Sequence, residues 1–322
     1  MNDREPGQTD PGDAPVVPAG GSGRPLLMRV LRLVFLVAAV ALGAHAIARD
    51  ADGFLTALTD IGPARTAIAL LLVLVGLVTS AEVWRGAVAS VAARLDGRSA
   101  RRIFFVSQLG KYIPGAVWTV LAQVEAARRH GLARSRMAVG AVLFLAFYLL
   151  TGLLVVAALL PLAAAGSLGA FLWPLLLIPL LVVALLPPVL TRVIDLGLSL
   201  LRRDRLPRAL NLKDVSVPSG WGLATWAIFG AAAVVVAQPL AGDAGLVELI
   251  AAAAGGFALG WAVGLLVVPA PAGLGPRDLV IFAALSPVVG ATEAASVAIV
   301  LRVLHTIGDF GLAGLAMRAA RR

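Results

Sequence analysis

Two short segments of the sequence place charged side chains next to proline and glycine in otherwise apolar surroundings. In the first segment, QLGKYIPGAVW at 108–118, Lys111 and Tyr112 are followed by Pro114 and Gly115. The lysine ammonium is a compact cation that can bind a phosphate oxygen. Alternatively, its aliphatic stem can cross apolar surroundings so that the charge reaches water. Both roles remain open for Lys111.

The second segment, PAPAGLGPRD at 269–278, has the same character in the C-terminal half of the chain. It contains Gly273 and Gly275, followed by the adjacent pair Arg277 and Asp278. Such a turn leaves backbone amides free at the start of the next helix, expected at about Asp278, where they can bind an anion. Asp278 is equally suited to cap that helix. Capping would explain the aspartate and leave the arginine unexplained.

Three further polar residues fall on one face of the last apolar segment. Arg302, His305 and Asp309 occupy positions i, i+3 and i+7 of a helix. Because an ionisable side chain is costly in contact with lipid, this face is expected to point into the protein interior. The three residues form either a structural ion-pair network, which is the simpler interpretation, or a path for phosphate or protons.

The composition shows why these polar residues are unusual. Of the 322 residues, 60% are hydrophobic and 14% are charged, and the mean hydropathy is +0.93. A soluble domain of this length cannot hide so much apolar surface, so the chain is predicted to be an integral membrane protein. Its net charge of +9 comes mainly from arginines between apolar segments. That placement is typical of cytoplasmic loops, and no nucleic-acid partner is predicted.

The residues that usually hold metals or covalent intermediates are scarce. The chain lacks cysteine, which excludes disulfides, thiolate metal ligands and cysteine nucleophiles. Its histidines, His45, His130 and His305, are far apart and do not have metal-ligand spacing. No nucleotide-binding or hydrolase motif occurs. The sequence therefore predicts no metal site, no cofactor and no catalytic residue.

Apolar segments of spanning length, about 20 residues, predict an all-α polytopic membrane protein. They lie at roughly 27–48, 66–84, 137–160, 170–190, 219–240, 247–268 and 279–317. The last could make two passes but is interrupted by SPVVGATE at 286–293, which makes about eight membrane-embedded segments in total. Residues 1–24 are rich in proline, glycine and aspartate and are predicted to be a disordered cytoplasmic tail. One membrane domain, 25–322, follows.

The arginine distribution assigns the loops to sides of the membrane. Basic regions at 85–102, 128–136 and 191–213 are predicted to be cytoplasmic, and 49–65 is predicted to be a loop on the opposite side. Segment 103–125 then has both ends on the cytoplasmic side and cannot be a single span. It is predicted to enter the membrane and turn back at its Pro-Gly break.

The PAPAGLGPRD segment repeats this interruption in the C-terminal half. Two broken segments in corresponding halves of a membrane protein indicate a transporter's substrate site. Just before the second segment, Gly256, Gly260 and Gly264 have the spacing of closely packed membrane helices rather than of a nucleotide-binding loop.

Two groups of opposite charges have the spacing of ion pairs on a helix surface. Glu82 precedes Arg85 by three residues, and Glu125 precedes Arg128 and Arg129 by three and four. Pairs at this spacing are expected to stabilise the helix locally, without a further role.

Three of the stretches, GKYIPGAVW, EAARRHGL and PAPAGLGPRD, resemble the lysylphosphatidylglycerol synthase transmembrane region, also called the flippase-like domain family. The resemblance extends over nearly all of residues 27–317. In that family the third stretch is usually a Pro-Gly-Gly-x-Gly-x-Arg-Glu type of turn. Ala272 and Asp278 depart from this pattern. The positions that match it are Pro271, Gly273, Gly275 and Arg277.

The resemblance implies a role in lipid handling. In fused members of the family, the membrane domain is thought to move aminoacylated phosphatidylglycerol between leaflets, and a separate soluble domain makes the lipid. Only a few basic residues follow Ala316, so translocation or lipid binding without aminoacyl transfer is expected. Free-standing members are also associated with glycolipid and cell-envelope glycan pathways.

The residues and the resemblance together predict a bacterial inner-membrane protein of the cell envelope, with both termini cytoplasmic and without enzymatic activity. It is expected to translocate, or to assist the translocation of, an anionic phospholipid or a polyisoprenyl-phosphate-linked lipid. Lys111, Arg277 and Arg302 are expected to contact the headgroup phosphate. The residues predicted to bind the headgroup are Lys111, Tyr112, Pro114, Gly115, Gly273, Gly275, Arg277 and Asp278.

Two other functions fit the same sequence. A membrane-embedded transferase acting on a lipid-linked sugar would use Asp278, Glu125 or Asp309 as its base. A scaffold would organise a complex of envelope-biosynthesis enzymes, with one of those enzymes as its partner. The lipid cargo, the energy source and the oligomeric state stay open at this point.

The predicted sides of the membrane can be tested with single cysteines, because the native chain contains none. Cysteines introduced at Arg98 and Arg134 should both react with a membrane-impermeant maleimide only when the cytoplasmic face is accessible. Labelling of the two positions from opposite faces would make 103–125 an ordinary span and contradict the re-entrant prediction.

Overall fold

The computed structural model describes residues 51–92, 95–113, 117–129, 133–163, 173–200, 202, 205–206, 208–267 and 271–319. These residues form helices and no strand. In chain order the helices are α1 (Ala51–Val91), α2 (Gly97–Gln108), α3 (Val117–Arg129), α4 (Arg134–Ala163), α5 (Leu177–Ala184), α6 (Pro187–Leu200), α7 (Leu212–Ala237), α8 (Leu246–Ile250), α9 (Gly256–Leu266), α10 (Pro276–Val289) and α11 (Ala291–Arg318). Single 3₁₀ turns lie at Leu109–Tyr112, Trp173–Leu176, Gln238–Leu240 and Pro271–Gly273, and a π-helical turn at Ala251–Gly255 joins α8 to α9.

The predicted all-α, multi-pass architecture is confirmed. Among the described residues, five helical segments are long and apolar enough to cross a bilayer, and a sixth arises if α5 and α6, bent by 76° at their junction, act as one span. The predicted number of about eight membrane-embedded segments is not confirmed by the described residues. Residues 1–24 and 27–48 lie outside the described residues. Helix α10 has 14 residues, too few to cross the hydrocarbon core at about 1.5 Å per residue.

Helix α1 corrects the prediction that 49–65 is a loop. The chain is helical from Ala51 onward, with one kink at Gly62. Gly62 has a φ of 68°, a left-handed conformation that glycine adopts without steric cost, and Pro63 removes a backbone donor at the same place. Ile61 is buried while the charged side chains nearby are exposed. Helical periodicity therefore accommodates the charges that suggested a loop.

Helices α1, α4 and α7 pack against one another in the centre of the bundle. The absence of a side chain at Gly76 of α1 lets the ring of Phe229 on α7 lie against the helix backbone. The indole nitrogen of Trp226 on α7 donates a hydrogen bond to the backbone carbonyl of Tyr148 on α4, at 3.1 Å. Helix α4 also contacts α3 and α9, so this group of three helices supports both broken segments.

The predicted ion pair between Glu82 and Arg85 is confirmed, with Nε 2.6 Å from Oε2. It is not a surface pair, because the Glu82 side chain is 8% exposed. Arg101 of α2 also contacts this carboxylate, 2.9 Å from Oε1. A buried carboxylate with two cations thus joins α1 to α2, and the spacing of the sequence revealed only the pair with Arg85. The predicted pairs of Glu125 involve arginine side chains that lie outside the described residues.

The first broken segment is a helical hairpin, termed the first hairpin, in which α2 and α3 pack against each other. The 3₁₀ turn Leu109–Tyr112 ends its first arm. Gly110 lies so close to the second arm that a Cβ at this position would be 2.7 Å from the backbone nitrogen of Thr119. The break predicted at Pro114 and Gly115 lies outside the described residues, between two arms that fold back on each other.

The second broken segment forms a similar structure, termed the second hairpin, from α9, the turn Pro271–Gly273 and α10. The predicted close packing of the glycine stripe is confirmed. Gly256 faces α10, and a Cβ at Gly260 would be 2.8 Å from the backbone carbonyl oxygen of Arg277. A Cβ at Gly264 would be 3.3 Å from the Cα of Gly273. Small residues thus allow the two arms to approach at backbone distance.

Replacing Gly260 by alanine should force the two arms of the second hairpin apart. Because the new methyl group would meet a backbone carbonyl, we expect a destabilisation of about 1–3 kcal/mol, measured as a lower thermal midpoint in detergent. Gly311→Ala is the matched control, since Gly311 lies within α11 and a Cβ there has no neighbour within 4 Å. Equal midpoints for the two variants would contradict the close packing.

Candidate functional site

A cavity of about 230 Å³ lies between the two hairpins and α11. The turn Leu109–Tyr112 of the first hairpin contacts the turn Pro271–Gly273 of the second, so the two broken segments meet at this cavity. The polar and charged residues that line it include Gln108, Lys111, Tyr112, Arg277, Arg302, His305 and Asp309.

Lys111 is paired inside the protein. Its Nζ lies 2.7 Å from Oδ2 of Asp309 on α11, and the Tyr112 hydroxyl donates to the same oxygen at 2.7 Å. The Asp309 residue is 3% exposed, and a buried carboxylate requires such partners. Lys111 therefore acts as the counter-ion of Asp309, a role that neither sequence-based interpretation included.

Arg302 joins α11 to the second hairpin. Its Nη2 lies 2.7 Å from Oδ2 of Asp278, and its Nε donates to Oδ1 at 2.8 Å, which is a two-point pair between planar groups. Nη2 also donates to the Gly273 carbonyl at 3.3 Å. Asp278 itself does not line the cavity. It contributes to the site by binding Arg302, which does.

The helix that carries Asp278 begins earlier than predicted. Helix α10 starts at Pro276, and Gly275 is its N-cap with a φ of 91°. Proline is well suited to the first helical position, because the amide it lacks has no partner there. Asp278 is therefore not the N-cap: its Oδ2 accepts a hydrogen bond from the Gly275 amide at 3.0 Å.

Arg277 differs from the other two cations of the cavity. Its guanidinium lies over the ring of Phe257, with Cζ 4.6 Å from the ring centroid, a favourable cation–π contact. No carboxylate of the described residues lies within the 4.0 Å ion-pair distance of this guanidinium. The described cavity region therefore has three cations and two carboxylates, and Arg277 carries the uncompensated charge.

His305 packs against two aromatic rings that also contact each other, with their centroids 5.7 Å apart. Its ring centroid lies 4.9 Å from that of Phe229 and 5.1 Å from that of Phe257. Nδ1 is 2.8 Å from the Leu301 carbonyl oxygen. Within the described part of the chain, Nε2 is buried without a hydrogen-bond partner.

The face predicted from the spacing of Arg302, His305 and Asp309 does point inward, and all three line the cavity. No hydrogen bond or ion pair joins them to one another within the described residues. Arg302 pairs with the second hairpin and Asp309 with the first. The ion pairs therefore join α11 to the two hairpins and do not run along α11 itself. The hairpins bring an opposite charge closer to Arg302 and to Asp309 than the neighbouring turns of α11 do.

Local sequence patterns did not reveal the aromatic side of the cavity. Tyr148 and Trp261 both line it, with ring centroids 4.5 Å apart, and Trp226 packs 5.4 Å from Trp261. These residues come from three different spans. Since an aromatic residue in an apolar helix is ordinary core, no sequence signal distinguishes them.

The turn of the second hairpin retains the geometry of a glycine-rich turn despite its alanine. Ala272 has a φ of 51°, beside Gly273 at 68° and Gly275 at 91°. A left-handed conformation costs a non-glycine residue about 1–2 kcal/mol. The surrounding contacts, including the Arg302 bond to the Gly273 carbonyl, hold the turn in this conformation.

The chain was compared with known protein families. The family model described as the lysylphosphatidylglycerol synthase TM region matches residues 29–312. The matched region contains both hairpins and all of the charged residues of the cavity. A search of curated proteins finds no match to the chain.

The pairing of Lys111 with Asp309 can be tested by a double-mutant cycle on the thermal midpoint in detergent. Asp309→Asn leaves Lys111 without its counter-ion and should destabilise the protein. The free energy of unfolding should fall by less than about 3–5 kcal/mol, the loss typical of a broken pair that is fully buried. The reason is that the Lys111 side chain is 32% exposed. Adding Lys111→Met should recover part of that loss.

The matched cycle combines Asp309→Asn with Arg302→Met. Because these two side chains form no ion pair with each other, their effects should be closer to additive than those of the Lys111 cycle. A stronger coupling for Arg302 than for Lys111 would contradict the observed pairing.

Proposed function

The chain belongs to the lysylphosphatidylglycerol synthase transmembrane-region family, and on that premise we propose that it binds the phosphate of an anionic lipid headgroup in the cavity between the hairpins. The protein then lets the headgroup cross the bilayer while the lipid tails stay in the hydrocarbon. The cargo is an anionic phospholipid or a lipid linked to a polyisoprenyl phosphate.

The uncompensated charge of Arg277 carries this proposal. A guanidinium offers a planar set of donors that matches the oxygens of a phosphate. Because the carboxylates of the described cavity region are already paired with Lys111 and Arg302, an entering anion has Arg277 as its available partner. The sequence-based hypothesis gave Lys111 an equal share of the phosphate. Its pair with Asp309 makes Arg277 the principal phosphate ligand instead.

The broken helices supply the path for the headgroup. Non-helical backbone is tolerated at membrane depth only where protein or a water-filled space covers it, and both hairpin turns border the cavity. In this proposal the first hairpin re-enters the membrane from the cytoplasmic side. The basic regions and both termini lie in the cytoplasm, and the membrane is the bacterial inner membrane.

A transporter fits the observed pairing better than a transferase does. Two of the three carboxylates proposed as bases for a transferase, Asp278 and Asp309, each accept hydrogen bonds from charged partners. The third, Glu125, does not line the cavity. A general base must lie within hydrogen-bond reach of the proton that it takes from its substrate, whereas both carboxylates already bind cationic side chains of the protein. The envelope-biosynthesis enzyme that makes the lipid is the proposed partner, as the supplier of cargo.

The proposal is tested by Arg277→Ala in proteoliposomes that contain phosphatidylglycerol and a fluorescent anionic lipid. Removing the charged ligand of a phosphate should slow the lipid's transbilayer movement about 10- to 100-fold. Movement is read as the fraction of fluorophore that an impermeant reductant reaches. The matched control is Arg318→Ala, since Arg318 is exposed at the end of α11.

Normal lipid transport by Arg277→Ala at wild-type expression would contradict the proposed headgroup site. If both variants slow lipid movement equally, the loss of either arginine lowers activity. That result would contradict a specific role for Arg277.

A further inference from the structure

His305 presents a hydrogen-bond acceptor that the protein does not use. The Leu301 carbonyl oxygen can only accept, so Nδ1, 2.8 Å away, must carry a proton and donate. In the neutral imidazole the other nitrogen, Nε2, is then an acceptor. Nε2 is buried and has no partner among the described residues, and a buried polar atom without a partner is unfavourable.

The surroundings keep the ring neutral and in place. Phe229 and Phe257 both pack against it, and the hydrogen bond from Nδ1 to the Leu301 carbonyl oxygen sets its orientation. The cavity is also lined by Lys111, Arg277 and Arg302. A second proton on His305 would add positive charge to a region that already has more cations than carboxylates.

The same charge balance selects against one class of headgroup. A lipid amine could in principle donate to Nε2, but it would bring an ammonium next to Arg277 and its uncompensated charge. The two carboxylates that could attract an ammonium are engaged with Lys111 and Arg302. A hydroxyl group is a hydrogen-bond donor without charge, and it meets no such opposition.

We infer that His305 determines headgroup specificity by accepting a hydrogen bond from a headgroup hydroxyl while Arg277 binds the phosphate. The ligand class is a phosphate-bearing lipid with an uncharged polyol headgroup, glycerol or a sugar, rather than an amine-bearing one. This inference rests on the proposed function, since it assigns the second polar contact of the same headgroup. His305 and Arg277 both contact Phe257, so the two groups border the same part of the cavity.

Two probe lipids with the same phosphodiester charge separate the hydroxyl from the phosphate. Phosphatidylglycerol carries headgroup hydroxyls, whereas phosphatidylmethanol carries none. We expect the purified protein in nanodiscs of phosphatidylcholine to bind phosphatidylglycerol about five- to tenfold more tightly, as one hydrogen bond provides. Binding is measured by titrating spin-labelled forms of each lipid.

Three variants assign this preference to residues. His305→Phe keeps an aromatic ring against Phe229 and Phe257 but cannot accept a hydrogen bond, so it should bind both lipids equally and at the level of phosphatidylmethanol. His305→Gln places an amide oxygen near the position of Nε2 and should retain part of the preference. Arg277→Ala should weaken the binding of both lipids by a similar factor.

The outcomes distinguish the inference from the function on which it rests. If His305→Phe, with a normal thermal midpoint, still prefers phosphatidylglycerol while Arg277→Ala weakens both lipids, the hydroxyl contact is refuted and the phosphate site stands. If His305→Phe unfolds, His305→Leu decides, because it also lacks a hydrogen-bond acceptor, and a retained preference for phosphatidylglycerol refutes the inference. If Arg277→Ala binds both lipids normally, the proposed function fails as well.

Discussion

Charged side chains inside this apolar protein must be compensated by the protein itself, and that requirement organises the structure around the cavity. The carboxylate of Asp309 is buried and depends on Lys111 and Tyr112. Arg302 depends in the same way on Asp278. Each pair joins one hairpin to α11, and breaking either would leave a charge with poor solvation. The electrostatic requirement thus fixes the relative positions of three segments that are far apart in sequence.

Arg277 differs from the other two cations of the cavity, because no carboxylate of the described residues pairs with it. The protein compensates Lys111 and Arg302 but gives Arg277 only the face of Phe257 within the described residues. A fully paired cavity would be more stable and would have no reason to bind an anion. In the proposed function, this cation without a carboxylate lowers the stability of the empty protein and provides the affinity for the lipid phosphate, a trade-off that is common at binding sites.

Glycine positions this cation. The backbone of Arg277 lies against Gly260, close enough that a side chain there would collide with its carbonyl. The turn before it adopts left-handed conformations at Ala272, Gly273 and Gly275. The arginine therefore enters the cavity from the first turn of a helix whose start is held by Asp278. Asp278 links the backbone conformation to the charges of the cavity, because it stabilises the start of α10 and also binds Arg302.

The sequence by itself determined that the chain is an all-α membrane protein and that its helices are interrupted between α9 and α10. These follow from local properties: apolar length, the conformations of proline and glycine, and the cost of charge in lipid. It also placed Arg302, His305 and Asp309 on one inward face, since helical spacing is local. It failed at 49–65, where charge suggested a loop, because an exposed helical face accommodates charge equally well.

Only the tertiary structure decided which charges pair. Tyr112 and its acceptor Asp309 are separated by 197 residues along the chain, and Lys111 is one residue farther from Asp309. No periodicity connects positions that far apart. An ion pair depends on distances of a few ångströms, which the packing of the two hairpins sets, so the identity of the uncompensated cation could not be deduced from residue types alone.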